Sequence, residues 1–324
     1  MTDAAPDPSP GQARASSTRI RDLDDGAYVI QVGSDHLSEA VRALVRGDQA
    51  AATRFLEYAR DAKLGLELMW ALCQPNGRIE ATVLATPAAG RTAMLFASRP
   101  ASRERETDMG NLLRIASEHL PSANINLAQA LLDPGATDEH RIFTAGGFTR
   151  LANLDYLERP IPRFGSIRTE PLPPDVDITI WDPNQREEMC QLLERTYEET
   201  LDCPGLTGLR KSSDILDGHL AAGIHVPEWW QILRIEGEPE GVLMFNRGSD
   251  GNSIELVYLG LARNARGRGL GRILLANGLA GLDNEQGRAI VLAVDRANGP
   301  AVRLYRRFGF RLSVRRVAFV QSVQ

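Results

Sequence analysis

The sequence predicts an α+β protein in which one domain fold occurs twice in tandem. Segments with the period of strands alternate with segments with the period of helices, and both halves of the 324-residue chain show them in the same order. Two Gly-Phe pairs, at 147–148 and 309–310, lie 162 positions apart, and the same spacing relates the strand-like segment 92–97 to 254–259. A repeat at one fixed spacing indicates two copies of one fold.

Composition divides the chain into four segments. Residues 1–20 are rich in Ala, Pro, Ser and Asp and lack the basic start and apolar centre of a signal peptide, so we expect a flexible tail. Residues 21–160 and 176–324 are the two predicted domains. The prolines of residues 161–175 favour a semi-extended linker between them. No apolar run approaches the roughly 18 residues that a membrane helix needs, so no membrane contact is expected.

In the first predicted domain, helical periodicity marks residues 34–45 and 50–62. Two apolar segments, 66–73 and 78–85, flank Asn76-Gly77, a dipeptide typical of a tight hairpin. The further elements expected here are a strand at 92–97, a helix at 108–120, a strand at 125–131, a helix at 138–145 and a strand at 151–157.

The second predicted domain repeats this order of elements. Its first part is expected to contain a strand at 178–181, helices at 184–200 and 213–222, and strands at 229–235 and 241–246. Its last part is expected to contain a strand at 253–258, a helix from 270 to about 285, a strand at 289–294 and a helix at 300–310.

A glycine-rich segment, Arg266-Gly267-Arg268-Gly269-Leu270-Gly271, occupies the turn between the strand at 253–258 and the following helix. Such a turn exposes backbone N–H groups at the positive end of a helix, which suits an anion such as a pyrophosphate. The G-x-G-x-G spacing differs from the dinucleotide fingerprint, and the Gly-Lys-Ser/Thr ending of the NTPase loop is absent. The alternative is a helix entry whose glycines serve tight packing alone.

A second motif follows the strand at 289–294. Asn298 stands before a helix with Pro300 in its first turn, and Leu304-Tyr305 and Gly309-Phe310 lie at its end. Together with the Arg-x-x-Gly-x-Gly pattern of 266–271, this motif resembles the GCN5-related N-acetyltransferase (GNAT) family. The resemblance covers the second predicted domain. The tandem layout is also similar to that of mycothiol synthases, whose first half is degenerate.

The resemblance implies that each domain is a mixed, mostly antiparallel sheet flanked by helices. It also implies acetyl-CoA as co-substrate and no metal. The cofactor-binding residues implied are Leu259, Gly260, Leu261, Arg266, Gly267, Arg268, Gly269, Leu270, Gly271, Arg272, Asn298 and Tyr305. The expected reaction is direct attack of a primary amine, on a small molecule or a peptide. The alternatives are a protein acetyltransferase acting on Lys or an N-terminus, and a non-catalytic acyl-CoA sensor.

Three residues are the catalytic candidates under this resemblance. The N–H of Leu259 would stabilise the oxyanion, and Tyr305 would protonate the leaving thiolate. Glu255, six residues before Leu261, would be the general base, since burial on an apolar strand raises a carboxyl pKa toward neutral pH. The alternatives are a solvated Glu on a polar strand face and a Tyr that only packs its helix against the sheet. The resemblance also leaves other carboxylates or water chains open for the base, since the family uses them too.

Other polar and aromatic residues are candidates for acceptor recognition, although helix surfaces and strand cores need such residues anyway. They are Tyr197, Glu198, Glu199, Asp202, Arg210, Trp229 and Trp230.

Charge and residue spacing exclude several functions. The formal net charge of −5 argues against a general nucleic-acid-binding protein. Cys73, Cys190 and Cys203 form no C-x-x-C motif, so neither a zinc site nor a disulfide framework is expected, and a reduced, cytoplasmic setting fits. No two histidines are four positions apart, so no metal is expected. The oligomeric state stays open.

The first copy lacks the residues of the candidate site. The positions 162 residues before the candidate site carry other residues. They are Glu104 where the second copy has Arg266, Thr107 where it has Gly269, Met109 where it has Gly271, Ala93 where it has Glu255, Ala136 where it has Asn298, and Phe143 where it has Tyr305. A carboxylate repels a pyrophosphate, and side chains in place of glycine keep the backbone away from a ligand. We therefore expect the first copy to be a scaffold or one wall of a substrate cleft.

Overall fold

A computed structural model of the chain describes residues 16–323 apart from 24, 63, 100–104, 162–168, 250, 283–284 and 286–287. The chain divides into two compact units. The first contains the chain up to Arg150 together with the segment from Ala318 onward, and the second extends from Leu151 to Val317. No helix among the described residues is long and apolar enough to cross a membrane.

The first unit contains an antiparallel sheet with one parallel pair. Its strands are β1 (Thr18–Asp22), β2 (Tyr28–Gln31), β3 (Met69–Cys73), β4 (Ile79–Ala88), β5 (Thr92–Ala97) and β6 (Leu127–Leu132), and they lie in this order across the sheet. Its helices are α1 (Leu37–Val45), α2 (Gln49–Asp61), α3 (Glu106–His119) and α4 (Thr137–Ala145). Neighbouring strands are antiparallel except β5 and β6, which run parallel and are connected through α3.

The second unit repeats this arrangement. Its strands are β7 (Thr149–Pro160, from Leu151), β8 (Val176–Ile180), β9 (Ile224–Ile235), β10 (Glu238–Arg247), β11 (Ser253–Leu261), β12 (Ala289–Asp295) and β13 (Arg311–Ser322, up to Val317). Its helices are α5 (Arg186–Tyr197), α6 (Ser212–Ala221), α7 (Leu270–Ala280) and α8 (Gly299–Arg307). The strand order is β8-β9-β10-β11-β12-β7-β13, and β11 and β12 are the parallel pair connected through α7.

The two units thus share the order of two antiparallel strands, a helix and a parallel strand, which confirms the predicted α+β fold. The repeated Gly-Phe pair has the same role in both. Gly147 and Gly309 follow α4 and α8 with φ of 93° and 82°, values that favour glycine, and Phe148 and Phe310 are buried.

The unit boundaries differ from the predicted domain boundaries. Residues 151–160 of β7 belong to the second unit, where Leu154 to Pro160 pair with Asp295 to Ala289 of β12. Residues from Ala318 belong to the first unit, where the Val323 N–H donates to the Asn126 carbonyl at 2.9 Å. A strand belongs to the sheet with which it forms hydrogen bonds, and sequence order alone does not reveal that sheet.

Several element boundaries also differ from the predictions. β1 begins at Thr18, inside the predicted tail 1–20, because Thr18 pairs with Gln31 of β2; residues 1–15 lie outside the described residues. Residues 162–168 of the predicted linker are also outside them. β2 and β13 have no counterpart among the predicted elements, and α7 ends at Ala280, before Gly281, rather than near residue 285.

Apolar clusters cover both faces of the second sheet. On one face, α7 and α8 pack through residues such as Leu274 and Val302 against Ile254 and Leu292 of the sheet. On the other face, the helices α5 and α6 pack against Trp230, among other strand residues. These two layers hold β11 and β12, the strands that border the candidate site, between them.

Candidate active site

A gap opens between the second halves of β11 and β12. The two strands pair only where Ser253 to Glu255 lie beside Ala289 to Val291. The ladder between β10 and β11 has a bulge at Val257, since Met244 faces Tyr258 while Phe245 faces Leu256. A bulge bends its strand and increases the local twist. In the first unit, the ladder of β4 with β5 continues from Val83 to Ala88 without a bulge.

Leu259 and Leu261 direct their backbone polar groups toward this gap. The Ala262 N–H donates to the Glu240 carbonyl next to β10 at 2.8 Å, and alternate residues of an antiparallel strand face the neighbouring strand. Leu259 and Leu261 therefore face away from β10. In agreement, the Leu261 carbonyl accepts a hydrogen bond from Arg266 Nε at 3.0 Å rather than from β10.

A cavity of about 600 Å³ occupies the gap. It brings together eight of the predicted site residues, namely Leu259, Gly260, Leu261, Arg266, Gly267, Gly271, Asn298 and Tyr305. The predicted site residues that do not line it are Glu255, Arg268, Gly269, Leu270 and Arg272. Two motifs that are far apart in sequence thus meet at one cavity.

The glycine loop has the conformation that its sequence predicts. Gly267 and Gly269 have φ of 76° and 78°, in the left-handed region, and a Cβ at either position would have no atom within 4 Å. No described residue accepts a hydrogen bond from the N–H groups of 267–271. Because α7 begins here, these N–H groups form a site of positive partial charge that attracts anions.

Arg266 connects the loop to the end of α5. Its Nε donates to the Leu261 carbonyl, its Nη2 to the Thr196 carbonyl at 2.9 Å, and its Nη1 to the Glu199 carbonyl at 3.1 Å. The guanidinium is therefore held by backbone oxygens on three sides. In this arrangement the side chain orders the rim of the cavity.

In or next to the loop, three predicted site residues other than glycine do not line the cavity, namely Arg268, Leu270 and Arg272. Arg268 donates to Asp175 at 3.0 Å, and Arg272 forms an ion pair with Glu170. The side chains of both arginines are more than 40 % exposed. Leu270 is buried in the core beneath α7, which explains why it does not line the cavity.

Tyr305 and Asn298 lie at the other side of the cavity. The Tyr305 ring is 7 % exposed and packs edge-on against Phe310, with ring centroids 5.8 Å apart. Burial and the nearby Asp202 carboxylate raise the Tyr305 pKa, so the hydroxyl is protonated at neutral pH. The Asn298 side chain caps α8 by accepting from the Ala301 N–H at 3.2 Å.

Glu255 lies on the other face of the sheet from Ile254 and Leu256, which are both buried beneath α7 and α8. Burial raises its carboxyl pKa, as predicted. Its charge contributes to the raised pKa of Tyr156 on β7. The carboxylate is thus in an environment that suits a base, but it does not line the cavity.

The last turn of α5 and the segment after it contribute cavity residues that no sequence signal marks, among them Thr196, Thr200 and Leu201. Two of the predicted acceptor residues, Glu199 and Asp202, also line the cavity. Tyr258 completes this wall. Its hydroxyl is 2.9 Å from Thr196 Oγ1, and its ring stacks on Tyr197 at 5.5 Å.

The remaining acceptor candidates lie elsewhere. Tyr197 and Arg210 line a separate cavity of about 530 Å³ between α5 and α6, and Glu198 is exposed outside both cavities. Trp229 and Trp230 line neither cavity because both are buried in the core. The Trp230 Nε1 donates to Asn246 Oδ1 at 2.8 Å, which satisfies its polar atom there.

Four of the six corresponding positions in the first unit carry apolar residues, namely Ala93, Met109, Ala136 and Phe143. Phe143 packs edge-on against Phe148, as Tyr305 packs against Phe310, but it has no hydroxyl. Ala136 precedes α4 without a side-chain cap, and Ala93 and Met109 are buried. Glu104, which replaces Arg266, lies outside the described residues.

Comparisons with known proteins agree with this geometry. Residues 187–310 match the family model described as "Acetyltransferase (GNAT) family". The chain is 38 % identical to a mycothiol acetyltransferase of Acidothermus cellulolyticus over 99 residues, which are 29 % of this chain and 28 % of that protein. It is 44 % identical to that of Thermobispora bispora over 63 residues, 19 % and 21 % of the two chains. The matched segments thus span under a third of these relatives' own lengths.

The solved structure of a GCN5-related N-acetyltransferase from Sphaerobacter thermophilus has a similar fold. The TM-score is 0.54 at 17 % identity, over 89 % of this chain and 91 % of that chain. At this identity the likeness concerns the fold alone. The match of residues 187–310, which are under half of the chain, to the acetyltransferase (GNAT) family model and the similar fold agree with the motifs of the second half.

Proposed function

We propose that the protein is an acetyl-CoA-dependent N-acetyltransferase that moves an acetyl group to a primary amine of a small molecule by direct attack. The main support is that three features line one cavity: the glycine loop, the backbone of Leu259 and Leu261 that faces the gap between β11 and β12, and Tyr305. The described residues contain no group of three or more His, Cys, Asp or Glu placed to hold a metal ion, and the proposed reaction needs none.

The loop and β11 would hold the co-substrate. The diphosphate would accept hydrogen bonds from the N–H groups of 267–271, and the pantetheine arm would pair with the backbone of Leu259 and Leu261. Gly260, Leu270 and Gly271 would contact the co-substrate through their backbone atoms. Arg268 and Arg272 would reach phosphate oxygens only by leaving Asp175 and Glu170, which their exposed side chains permit.

The chemistry uses three groups of this chain. The amine lone pair attacks the thioester carbonyl carbon, and the Leu259 N–H stabilises the oxyanion that develops. The C–N bond forms and the C–S bond breaks, and the Tyr305 hydroxyl donates its proton to the thiolate. The sequence predicts Glu255 as the acceptor of the amine proton, but Glu255 does not line the cavity, so this transfer would require a bridging water.

The acceptor class is tested with the full chain. Thiol release from acetyl-CoA is measured by a thiol-reactive dye with a mycothiol precursor that carries a free amine, with glucosamine, with a diamine and with a lysine peptide. The relatives named above are mycothiol acetyltransferases, so the precursor is tested first. We expect release with at least one small amine and little with the peptide.

Other outcomes would identify the alternatives. Release with the peptide alone would support a protein acetyltransferase. A thermal shift with acetyl-CoA but no release with any acceptor would support a non-catalytic sensor. Ligand at 100 times its dissociation constant stabilises a protein by about 2.7 kcal/mol, so binding is detectable without turnover.

A further inference from the structure

Asp202 lies in the cavity on the side of the end of β12. Its Oδ1 accepts the N–H of Asp295, the last residue of β12, at 2.9 Å. Its own N–H donates to Thr200 Oγ1 at 3.1 Å, and its side chain is hydrogen-bonded to Asn298. These bonds fix a half-buried carboxylate beside the gap in which the thioester would lie. Tyr305 lines the same cavity.

No cation balances this carboxylate in the described part of the chain. Asp202 forms no ion pair there, and Arg266, which lines the same cavity, donates to backbone carbonyls instead. The titratable groups that interact with Asp202 electrostatically are Tyr197 of α5, the adjacent Cys203, Tyr258 of β11, Asp295 of β12 and Tyr305 of α8. None of them is a cation. A half-buried carboxylate without a counter-ion is unfavourable, and a cationic ligand would relieve this.

We infer that Asp202 binds the attacking amine as its ammonium ion and takes the proton that the amine loses. The proton moves from the ammonium nitrogen to a carboxylate oxygen of Asp202, and the nitrogen lone pair then attacks the thioester carbon. As the C–S bond breaks, the Tyr305 proton passes to the thiolate. The nitrogen loses its second proton as the tetrahedral intermediate collapses, and this proton reprotonates the Tyr305 phenolate. The proton held by Asp202 passes to solvent, so one proton is released for each acetyl group transferred. This inference rests on the proposed acetyl transfer.

The cavity favours Asp202 over Glu255 for this role. A general base must be within hydrogen-bond reach of the proton that it takes, or one water away. Asp202 lines the cavity, whereas Glu255 does not. Asp202 is also held by β12, so its carboxylate is positioned before the amine enters.

The test compares Asp202→Asn with Glu255→Gln in the full chain. The asparagine side chain keeps an oxygen that accepts the Asp295 N–H, so residue 202 retains this hydrogen bond to β12 without the negative charge. Asp177→Asn is the control, because Asp177 is exposed on β8, away from the cavity. For each variant, kcat/KM for the best amine of the panel is measured between pH 6.5 and 9.5, and acetyl-CoA affinity is measured by titration.

We expect Asp202→Asn to lower kcat/KM for the amine roughly 10²- to 10⁴-fold at pH 7. Acetyl-CoA affinity should stay within about threefold, since the variant leaves the glycine loop intact, and KM for the amine should rise. The loss should shrink toward pH 9.5, where more of the amine is already neutral. A purely structural role of Asp202 would not produce this pH dependence.

The inference is overturned if Asp202→Asn retains wild-type kcat/KM, or if its loss is the same at every pH. It is also overturned if Glu255→Gln alone shows the pH-dependent loss. In those cases the acetyl transfer itself stands. If the unaltered chain releases no thiol with any amine, the proposed function and this inference fail together.

Discussion

Arg266 donates from Nη2 to the backbone carbonyl of Thr196 at 2.9 Å and so ties the glycine loop to the last turn of α5. The same guanidinium bonds the Leu261 and Glu199 carbonyls. One side chain therefore connects three parts of the cavity rim. The proposed diphosphate site depends on the backbone that this residue holds in place.

The first prediction concerns this connection. Arg266→Ala removes hydrogen bonds from a charged donor, each worth roughly 1.5–3 kcal/mol. We expect acetyl-CoA to bind about tenfold more weakly or worse, and Tm to fall. Arg263→Ala is the control, because its ion pair with Glu199 is over 60 % exposed and worth at most about 1 kcal/mol. Equal effects of the two variants on affinity would contradict the assigned role.

The second prediction concerns the left-handed glycines. Gly269→Ala places a Cβ at φ 78°, which strains the backbone by roughly 1 kcal/mol and obstructs the approach of a ligand. We expect a small loss of Tm and a loss of acetyl-CoA affinity of about tenfold. Gly237→Ala introduces the same strain at φ 86° in the turn between β9 and β10, with no neighbour within 4 Å. It should lower Tm equally and leave affinity unchanged in a titration.

The third prediction concerns the contact of Gly260 with Tyr258. A Cβ on Gly260 would lie 2.7 Å from the Tyr258 Cε1 and hydroxyl oxygen, so the ring must move and leave Thr196. We expect Gly260→Ala to reduce the free energy of unfolding by roughly 1–3 kcal/mol. Adding Tyr258→Ala removes the clash, so the double variant should lose less than the sum of the singles. Additive losses in chemical denaturation would argue against the clash.

The fourth prediction concerns Tyr305. Tyr305→Phe removes the hydroxyl and keeps the ring against Phe310, and the first unit carries Phe143 in the equivalent pair. We expect thiol release in the presence of an amine to fall roughly 10²- to 10⁴-fold, with little change in Tm or acetyl-CoA affinity. Single-turnover assays measure the step directly. Unchanged turnover would show that another group protonates the thiolate.

The fifth prediction concerns stability at acid pH. The His219 ring stacks on Tyr258, and burial, with the nearby Arg210, lowers its pKa from 6.5 to about 4. The folded state therefore favours the neutral ring, and its contribution is complete above pH 6.5 and lost as the pH falls toward 4. Between pH 7 and 5 this loss is on the order of 1–2 kcal/mol.

His219→Phe tests this contribution, because it keeps a stacked ring that cannot titrate. Urea denaturation of both chains at pH 7 and pH 5 should show a smaller drop for the variant. If both chains lose the same stability, groups other than His219 account for the acid sensitivity.

Elements with strong local signals were predicted closely. The strand at 92–97 is β5 without change, and the predicted helix at 138–145 is α4 extended by one residue. β1 and β2 were missed because they are short. β13 was missed because its first residues are exposed and lack a clear alternation of apolar and polar side chains. Their pairing depends on distant partners, which a local pattern does not reveal.

The candidate site was predicted in part. The motifs identified Asn298, Tyr305 and the loop glycines, since a cap and a left-handed turn are local features. Asp202 stood only among several polar candidates, because its position depends on a hydrogen bond to Asp295, which is 93 residues away in sequence. Glu255 is the opposite case. Its spacing from Leu261 predicted a catalytic position, but the residue does not line the cavity.

The amino-acid order by itself determined the repeat, because the same local patterns recur at one spacing of 162 residues. It also determined the conformation of the glycine loop and the cap of α8, because each depends on residues within a few positions of one another. The tertiary structure alone decided that β11 bulges and separates from β12, that the Arg266 guanidinium bonds carbonyls, and that Asp202 lines the cavity. These features depend on which strands and loops pack together, and packing joins residues that are distant along the chain.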